Sequence, residues 1–357
     1  MNPERLRTGV PLAQRTTLEL GGPAAYLYEA ETPAEVAESL DWAEAQGLPT
    51  TVLGGGSNVV VSDEGFEGLV LTLSDAGADI DPHSGQISAS AGMSWDALVA
   101  QAVSAELQGF ECLSGIPGRV GAVPIQNVGA YGQEIAETVL RVDTYDRQAS
   151  RFCSLQPHEC AFGYRDSVFK RDWERYVVLR VHFQLRPGVT PALGYAELER
   201  CFAQRAKPTL ADVRSEVLRL RRNKSMVHDP EDPNHRSAGS FFINPVVSEE
   251  QAQAVVSRFC DLGGAPEAVP RYPQEDGRVK LPAGWLIEQS GFAKGMTRLH
   301  VGLSTRHALA LVHLGGGSTQ ELLGFAREIR QGVRHAFGIA LTMEPRLLGF
   351  QGSDPLV

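Results

Sequence analysis

The feature that most restricts the fold is a glycine run placed between two short β-branched segments. Residues 53–58 read LGGGSN and connect the predicted strands 51–53 and 59–61. The glycine loops of Rossmann folds and P-loop proteins are each followed by a helix. The sequence therefore excludes both of these common nucleotide-binding designs.

The same five residues, LGGGS, recur at 314–318, where the following residues have a different pattern. An apolar-periodic segment that opens with Thr319, Gln320 and Glu321 predicts a helix, with Ser318 as its N-cap. In the first copy, successive N–H groups of the glycines can form a nest for a pyrophosphate. A plain tight hairpin is the alternative for residues 54–58.

A second glycine-rich segment covers residues 115–132 (GIPGRVGAVPIQNVGAYG), with five glycines and two prolines. It lacks the apolar period of a core helix, and long irregular loops inside domains are usually functional. The amides of Gln126 and Asn127 are suited to the edge of a heterocycle or to a ribose. The segment is therefore predicted to bind a cofactor together with residues 54–58.

The remaining sequence predicts a mixed α+β fold. Helices are expected to begin after Thr32, Ser94, Thr209 and Ser248, the one after Ser94 extending to Gly109. Further strands are expected at 69–73, 139–145, 176–185 and 309–312. Residues 226–236, rich in Pro, Asp, Asn and His, are expected to link two domains.

Composition limits the function classes. The formal net charge of -10 disfavours nonspecific binding to nucleic acid or membranes, which are themselves anionic. The five cysteines form no C-x-x-C pair, and neither a signal peptide nor a bilayer-length apolar run is evident, so a cytoplasmic protein is expected. His228, Asp229, Asp232 and His235 are expected to be solvated, and no metal site is predicted.

Several motifs occur in a fixed order along nearly the whole chain. Besides the two glycine segments they are 162–167 (FGYRDS), 238–245 (AGSFFINP), 280–288 (KLPAGWLIE) and Glu344. Together they resemble the UDP-N-acetylenolpyruvoylglucosamine reductases, within the flavin-binding fold shared with vanillyl-alcohol oxidase. The segment around Tyr195 is similar to the longer of the two types of this family, which has a mobile tyrosine.

The resemblance implies a domain organisation. A PCMH-type FAD-binding region would cover 1–225 in two subdomains, about 1–75 and 76–225. A smaller α+β substrate-binding domain would cover 226–330, and residues 331–357 would return to the active site. Residues 225–230 depart from the family pattern, which leaves the path of the 226–236 linker open.

The resemblance also implies a reaction and its cofactors. Hydride would pass from NADPH to FAD, and from the flavin N5 to the enolpyruvyl ether of a UDP-sugar, giving UDP-N-acetylmuramate for peptidoglycan synthesis. Neither glycine segment contains a histidine, so the FAD is expected to be noncovalent. A monomer without nucleic-acid or membrane partners is expected.

Residue roles follow from the motif positions. Arg165 would clamp the substrate carboxylate with support from Glu344, and Ser240 would donate the proton. The residues expected to bind FAD are Gly54, Gly55, Gly56, Ser57, Asn58, Pro117, Gly118, Gly121, Gln126, Asn127, Gly129 and Ala130. The residues expected to bind the UDP-sugar are Tyr164, Tyr195, Lys224, Asn244 and Tyr272.

Simpler explanations exist for several of these residues. Arg165 would be a surface residue paired with Asp166 or Asp172, and Ser240 a small residue before an apolar strand. Each tyrosine would be a core side chain with a satisfied hydroxyl. For the whole chain, an oxidase of the same fold and a noncatalytic nucleotide-binding protein are the alternatives to a reductase.

Overall fold

A computed structural model describes residues 1–191, 193–203, 207–350 and 356. The chain divides into two compact units. Unit 1 comprises Met1–Val10, Ala24–Gly55 and Glu67–His228, and unit 2 comprises Pro11–Pro23, Gly56–Phe66 and Asp229–Val357. Both units therefore contain residues from the first sixty-six positions, and the first glycine loop contributes to each.

Nine α-helices occur within the described ranges. They are α1 (Pro33–Ala45), α2 (Trp95–Ser104), α3 (Pro157–Cys160), α4 (Val168–Arg171), α5 (Ala196–Phe202), α6 (Leu210–Asn223), α7 (Glu249–Asp261), α8 (Ala283–Gln289) and α9 (Thr319–Phe337).

The strands are short, and several have two or three residues. They are β1 (Arg7–Pro11), β2 (Pro23–Ala30), β3 (Thr50–Val52), β4 (Val59–Val61), β5 (Phe66–Leu73), β6 (Ala78–Ile80), β7 (Gln86–Ser90), β8 (Leu107–Gln108), β9 (Gly129–Ala130), β10 (Gln133–Glu134), β11 (Val139–Asp146), β12 (Arg151–Leu155), β13 (Tyr176–Gln184), β14 (Arg186–Pro187), β15 (Ser237–Ser240), β16 (Val246–Val247), β17 (Tyr272–Pro273), β18 (Val279–Lys280), β19 (Thr297–Arg298), β20 (Val301–Leu303), β21 (Ala310–His313) and β22 (Arg346–Leu348).

Unit 1 contains two main sheets. The first has the order β1-β2-β5-β3, with β3 and β5 parallel, and α1 packs on it. The second is an antiparallel sheet of order β12-β11-β13-β7-β6. Its core includes the edge-to-face aromatic pairs that Phe110 makes with Trp95 and Phe183, all three fully buried.

Helix α6 covers another face of unit 1. Its apolar stripe of Val213, Val217 and Leu220 packs with Leu198 and Phe202 of α5. The helix begins after Thr209, as expected, and it has a capping box in which the Thr209 hydroxyl accepts the N–H of Asp212. At its other end, Lys224 is the C-cap residue.

Unit 2 has an antiparallel sheet of order β15-β21-β20-β19 and a small sheet of order β16-β18-β17. Helices α7, α8 and α9 pack over a single apolar core that also includes Leu18, Leu20 and Val60. β22 pairs in parallel with β4, so the C-terminal part of the chain is joined to the strand after the first glycine loop.

The two units confirm the α+β class. The predicted N-caps of α7 and α9 are confirmed, since the Ser248 and Ser318 hydroxyls each accept a backbone N–H in the first turn. The helix predicted to reach Gly109 ends at Ser104, because Glu106 adopts a positive φ of 56° and β8 follows. The boundary predicted after residue 330 falls inside α9, and residues 351–355 and 357 of the predicted last segment lie outside the described residues.

Candidate functional site

The first glycine loop connects β3 to β4 without a helix, as predicted. In unit 1 it contacts the second glycine segment, because a Cβ on Gly55 would lie 2.9 Å from the Gly118 Cα. A side chain at position 55 would separate the two loops. Glycine at position 55 therefore allows two stretches of backbone that are far apart in the sequence to lie in contact.

This meeting point offers unused hydrogen-bond donors. The main-chain N–H groups of Gly54, Gly55 and Gly118 have no acceptor within the described part of the chain. Gly54 is exposed and the other two residues are partly exposed, so an external group can reach them. Clustered backbone donors of this kind suit an anion such as a pyrophosphate.

The second segment is fixed to the start of α2. The Trp95 N–H donates to the Gly118 carbonyl, and the Gly115 N–H donates to the Asp96 carboxylate at 2.6 Å. Ser94 occupies the N-cap position but makes no side-chain capping bond, which corrects the prediction for this residue. The loop carbonyl takes the place of a capping side chain at Trp95.

Asp96 is held in turn by a two-point ion pair. The Arg214 guanidinium contacts both carboxylate oxygens of Asp96, at 2.6 and 2.9 Å. Burial opposes ionisation of Asp96, but the bonds from Arg214 and Gly115 outweigh it and lower its pKa. An ionised Asp96 thus anchors the beginning of the second glycine segment.

Asn127 is buried and has a positive φ of 43°. Its amide nitrogen donates to Glu134 at 2.7 Å and to the Gly163 carbonyl at 3.1 Å, while its oxygen accepts the Ala136 N–H. Both amide protons are used within the protein. The side chain of Asn127 therefore holds the second glycine segment against residues 163–166.

Arg165 lies directly on this segment. Its Nη2 donates to the Gly129 carbonyl at 2.7 Å and its Nη1 to the Asn127 carbonyl at 3.5 Å. Its own φ is positive (54°), a conformation that costs energy for an L side chain and is frequent at functional sites. Tyr164 is exposed, and its ring lies 5.4 Å from the Arg165 guanidinium carbon.

The simpler explanation of Arg165 named two acidic partners. Asp166 pairs with Arg171 at 3.3 Å, and Asp172 lies 3.9 Å from Arg175. The guanidinium of Arg165 itself contacts loop carbonyls, as described above. Both carboxylates thus have a basic partner of their own, and Arg165 is attached to the second glycine segment.

A second group of predicted residues is assembled elsewhere in unit 1. The Lys224 ammonium contacts both oxygens of Glu197, at 2.7 and 3.0 Å, and lies 5.6 Å from the centre of the Tyr131 ring. Tyr195 packs edge-on against Tyr131 with ring centroids 5.4 Å apart. Burial raises the pKa of Tyr131 to about 12, so its hydroxyl stays neutral near pH 7.

Ser240 and Glu344 are neighbours in unit 2. Ser240 ends β15 after a register irregularity, with Gly239 at a φ of 74°, and pairs with Ala310 of β21. The Glu344 N–H donates to the carbonyl of Phe241, the residue that follows Ser240, at 2.9 Å. Irregularities of this kind re-aim side chains beside active sites.

The two other substrate candidates of unit 2 lie around the small sheet. The Asn244 side-chain oxygen accepts the Ala283 N–H at the start of α8. Tyr272 is exposed in β17 and pairs with Lys280, which also pairs with Val246 on its other side. Asn244 and Tyr272 are thus attached to neighbouring parts of one sheet.

The remaining residues predicted to bind FAD are either partly exposed or closely packed within the two glycine segments. Gly56 is buried, and a Cβ there would lie 2.0 Å from the Arg15 carbonyl oxygen. The Gly121 N–H donates to the Ala91 carbonyl, and a Cβ on Gly121 would lie 2.6 Å from the Ala91 Cβ. The partly exposed candidates are Ser57, Asn58, Pro117, Gln126 and Ala130.

The sequence prediction missed four residues that order these groups. They are Asp96, Tyr131, Glu134 and Glu197. Asp96 and Glu197 each lie in the first turn of a helix, where an acidic residue is adequately explained by the helix dipole. Tyr131 belongs to the second glycine segment, but nothing in the sequence indicates that it lies beside Lys224.

The loops of unit 1 fit a dinucleotide cofactor. Adjacent backbone donors at Gly54, Gly55 and Gly118 match a pyrophosphate, and the Gly55–Gly118 approach leaves no side chain in the way. Within the described ranges, no group of three or more His, Cys, Asp and Glu side chains is arranged to bind a metal ion. No helix in those ranges is long and apolar enough to span a bilayer.

Comparison with known proteins gives two family matches. Residues 24–150 match the FAD binding domain family, and residues 230–348 match the C-terminal domain family of UDP-N-acetylenolpyruvoylglucosamine reductase. These matches confirm an FAD-binding part followed by a smaller C-terminal part, and FAD as the cofactor.

Relatives that match over most of their length are named UDP-N-acetylenolpyruvoylglucosamine reductase. The chain is 49% identical over 347 residues to a UDP-N-acetylenolpyruvoylglucosamine reductase of Thermobifida fusca, covering 95% of this chain and 97% of the relative. It is 46% identical to one of Streptomyces avermitilis, covering 96% and 94%. The crystal structure of a UDP-N-acetylenolpyruvylglucosamine reductase from Thermus caldophilus superposes with a TM-score of 0.66 at 26% identity, covering 96% and 99%.

Proposed function

Because the chain belongs to the UDP-N-acetylenolpyruvoylglucosamine reductase family and is an FAD-binding oxidoreductase, we propose that it reduces UDP-N-acetylenolpyruvoylglucosamine to UDP-N-acetylmuramate with NADPH. The product is a precursor of peptidoglycan, so the proposed role lies in cell-wall biogenesis, and through it in cell shape and division. The observation that carries the proposal is the position of Arg165 on the second glycine segment.

The chemistry that FAD supplies when bound is hydride transfer from NADPH to the substrate carbon β to the carboxylate. This transfer places negative charge on the α-carbon and its carboxylate. The protein must therefore stabilise an anion and deliver one proton to the α-carbon. The proposed residues divide these two tasks.

Arg165 is proposed to stabilise the carboxylate. A guanidinium has five N–H donors in a fixed fork, so it can hold the Gly129 carbonyl and a carboxylate at the same time. Its attachment to the loop proposed to bind FAD keeps the cation in a constant position relative to that loop. Such preorganisation is what makes a charged group effective in catalysis.

Ser240 is proposed to donate the proton, and Glu344 to support the carboxylate clamp. A neutral hydroxyl is a weak acid, but it is sufficient for a strongly basic carbon within hydrogen-bond reach. The irregular end of β15 and the Glu344–Phe241 backbone bond hold both residues on one part of unit 2. Neither role requires a metal ion.

Five residues are proposed to bind the UDP-sugar. Lys224 would bind the diphosphate, with Tyr195 over the nucleotide, and both lie in the same cluster of unit 1. Tyr164, Asn244 and Tyr272 are proposed to complete the contacts. The predicted division at 1–225, 226–330 and 331–357 remains part of this proposal, as do a monomeric state and a cytoplasmic location.

An anaerobic experiment tests the reaction. The purified yellow protein is reduced with NADPH, enolpyruvyl-UDP-N-acetylglucosamine is added, and the flavin absorbance is followed. Rapid return of the oxidised spectrum without oxygen is expected. Reduced protein that ignores this substrate but reoxidises quickly in air would contradict the proposal and favour an oxidase.

The role of Ser240 is tested by separating the two half-reactions. In Ser240→Ala, reduction by NADPH should stay within about twofold of the wild type, while reoxidation by substrate should slow by about a thousandfold, a typical size for the loss of a catalytic proton donor. Stopped-flow absorbance measures both rates, so the first half-reaction is the control for correct folding. Equal slowing of both would exclude the proton-donor role.

A further inference from the structure

Lys224 has a carboxylate partner inside the protein. Its ammonium lies 2.7 and 3.0 Å from the two oxygens of Glu197. The lysine side chain is 38% exposed and that of Glu197 28%, so solvent reaches both groups. An ion pair this accessible is weak, and an external anion can compete for the lysine.

Both partners are held by secondary structure. Lys224 is the C-cap of α6, and Glu197 lies in the first turn of α5, two residues after Tyr195. Helix α5 packs against α6 through the buried Leu198 and Phe202. The carboxylate is therefore placed at the lysine by the packing of two helices.

We infer that Glu197 occupies the anion site of Lys224 in the substrate-free enzyme and competes there with the phosphates of the nucleotide. The inference rests on the proposed function, in which Lys224 binds the diphosphate. A diphosphate beside an ionised Glu197 would place like charges within a few ångströms of each other. The carboxylate must therefore leave Lys224 when the diphosphate binds.

This arrangement affects only ligands that carry phosphate. A nucleoside without phosphate gains nothing at Lys224 and cannot replace the Glu197 carboxylate. A nucleotide replaces one anion with a more highly charged one, so Lys224 keeps a partner throughout. Glu197 thus lowers the affinity for every phosphorylated ligand and prevents an exposed unpaired ammonium in the free enzyme.

The competing carboxylate has a measurable consequence. If a fraction of molecules has Lys224 occupied by Glu197, the apparent dissociation constant for the nucleotide equals the intrinsic constant divided by the fraction of molecules that is competent to bind. Removing the negative charge of Glu197 should therefore tighten nucleotide binding. For an exposed pair the expected gain is about two- to fivefold.

The test uses the FAD-loaded protein, with UDP and uridine as ligands and calorimetry as the measurement. Glu197→Gln is compared with Glu199→Gln, which removes the same charge from an exposed position of the same helix. Glu197→Gln should bind UDP about two- to fivefold more tightly and uridine unchanged. Glu199→Gln should leave both affinities within experimental error.

The outcomes distinguish this inference from the proposed function. Lys224→Ala should weaken UDP binding, and unchanged UDP binding in that variant would contradict the proposed diphosphate site itself. If Lys224→Ala weakens UDP binding but Glu197→Gln leaves it unchanged or weakens it, the competition is wrong and Glu197 positions the lysine. Equal tightening of UDP and uridine would also overturn it, because the effect would not depend on phosphate.

Discussion

Residues 53–57 and 314–318 have the same sequence, LGGGS, but the first connects two strands and the second begins a helix. In the second copy, the N–H groups at the turn have partners within unit 2. The Gly317 N–H donates to His313 Nε2 at 3.1 Å, and the Asp63 carboxylate accepts the N–H groups of Thr319 and Gln320.

The first copy leaves donors available to a ligand. Within the described part of the chain, the N–H groups of Gly54 and Gly55 have no acceptor, and Gly55 lies against Gly118 of the second glycine segment. Identical residues therefore form, in the first copy, a loop with N–H donors available to a ligand. In the second copy they form a helix start whose N–H groups are bonded within the protein. The difference comes from the neighbours that the fold supplies to each copy.

The largest expected effect is on stability, at Gly56. In Gly56→Ala the new Cβ would lie 2.0 Å from the Arg15 carbonyl oxygen, at a φ of 63° that disfavours side chains. A fixed backbone clash of this kind should lower the free energy of unfolding by about 3 kcal/mol or more. Urea denaturation measures it.

Gly324→Ala is the matched control for this substitution. Gly324 lies inside α9, and a Cβ there would meet nothing within 4 Å. Alanine should stabilise that helix by about 0.5–1 kcal/mol. If both variants were equally stable, the first loop would not be packed as described.

The second effect concerns FAD affinity. In Gly54→Ala the new Cβ would lie 3.8 Å from its nearest neighbours, so the fold should be kept within about 1 kcal/mol. A methyl group placed where the first loop faces Arg119 and Ala122 of the second glycine segment should nevertheless obstruct the cofactor and weaken FAD binding by about tenfold, or about 1.4 kcal/mol. Fluorescence titration of FAD into flavin-free protein measures this, and unchanged affinity would favour a plain hairpin.

The third effect concerns the second copy. In Ser318→Ala the Glu321 N–H loses its capping acceptor, which should cost about 1 kcal/mol of stability. FAD affinity should stay the same, in contrast to Gly54→Ala. The melting temperature and the FAD titration of this variant together show whether the two copies have separate roles. Weakened FAD binding would contradict the helix-cap assignment.

The smallest expected effect is a pH dependence of stability that comes from His313, beside the second LGGGS copy. Burial lowers the pKa of His313, with Arg236 acting in the same direction, although the Leu18 carbonyl at Nδ1 opposes it. Nε2 accepts the Gly317 N–H, so the neutral form is the one that the fold stabilises. The unfolded chain binds the proton more readily, and stability should fall as the pH drops below about 6.5 and through the folded pKa.

Between about pH 7.5 and 5.5 this histidine should contribute a loss of less than about 1 kcal/mol, the typical net value of one hydrogen bond. His313→Gln removes the titration and should flatten this part of the curve of unfolding free energy against pH. His158→Gln, at an exposed position of α3, should leave the curve as in the wild type. An unchanged slope in His313→Gln would exclude the assigned protonation state.

Local patterns predicted much of the secondary structure. The strands on either side of the first glycine loop, the helix start after Thr209 and the caps at Ser248 and Ser318 follow from a few adjacent residues, and the structure has them. Ser94 shows the limit of such patterns. Ser94 does precede the helix, as predicted. The first helical N–H, that of Trp95, nevertheless donates to the carbonyl of Gly118, a residue distant in sequence.

The site residues show the same division. The motifs singled out Arg165, Tyr195 and Lys224, but their spacing does not indicate what each side chain contacts. The contacts of Arg165 with the Gly129 carbonyl and of Lys224 with Glu197 join residues 27 or more positions apart. They depend on how sheets and helices pack.

The sequence by itself determined the α+β class, the presence of two glycine segments and the order of the family motifs. These features depend on residue type and local spacing, which determine backbone propensity and hydrophobic pattern. The tertiary structure decided which glycine N–H groups keep no partner among the described residues, that Asp96 and Asn127 fix the second segment, and that Glu197 meets Lys224. Hydrogen bonds and ion pairs act over a few ångströms, so their partners are determined only when packing brings distant parts of the chain together.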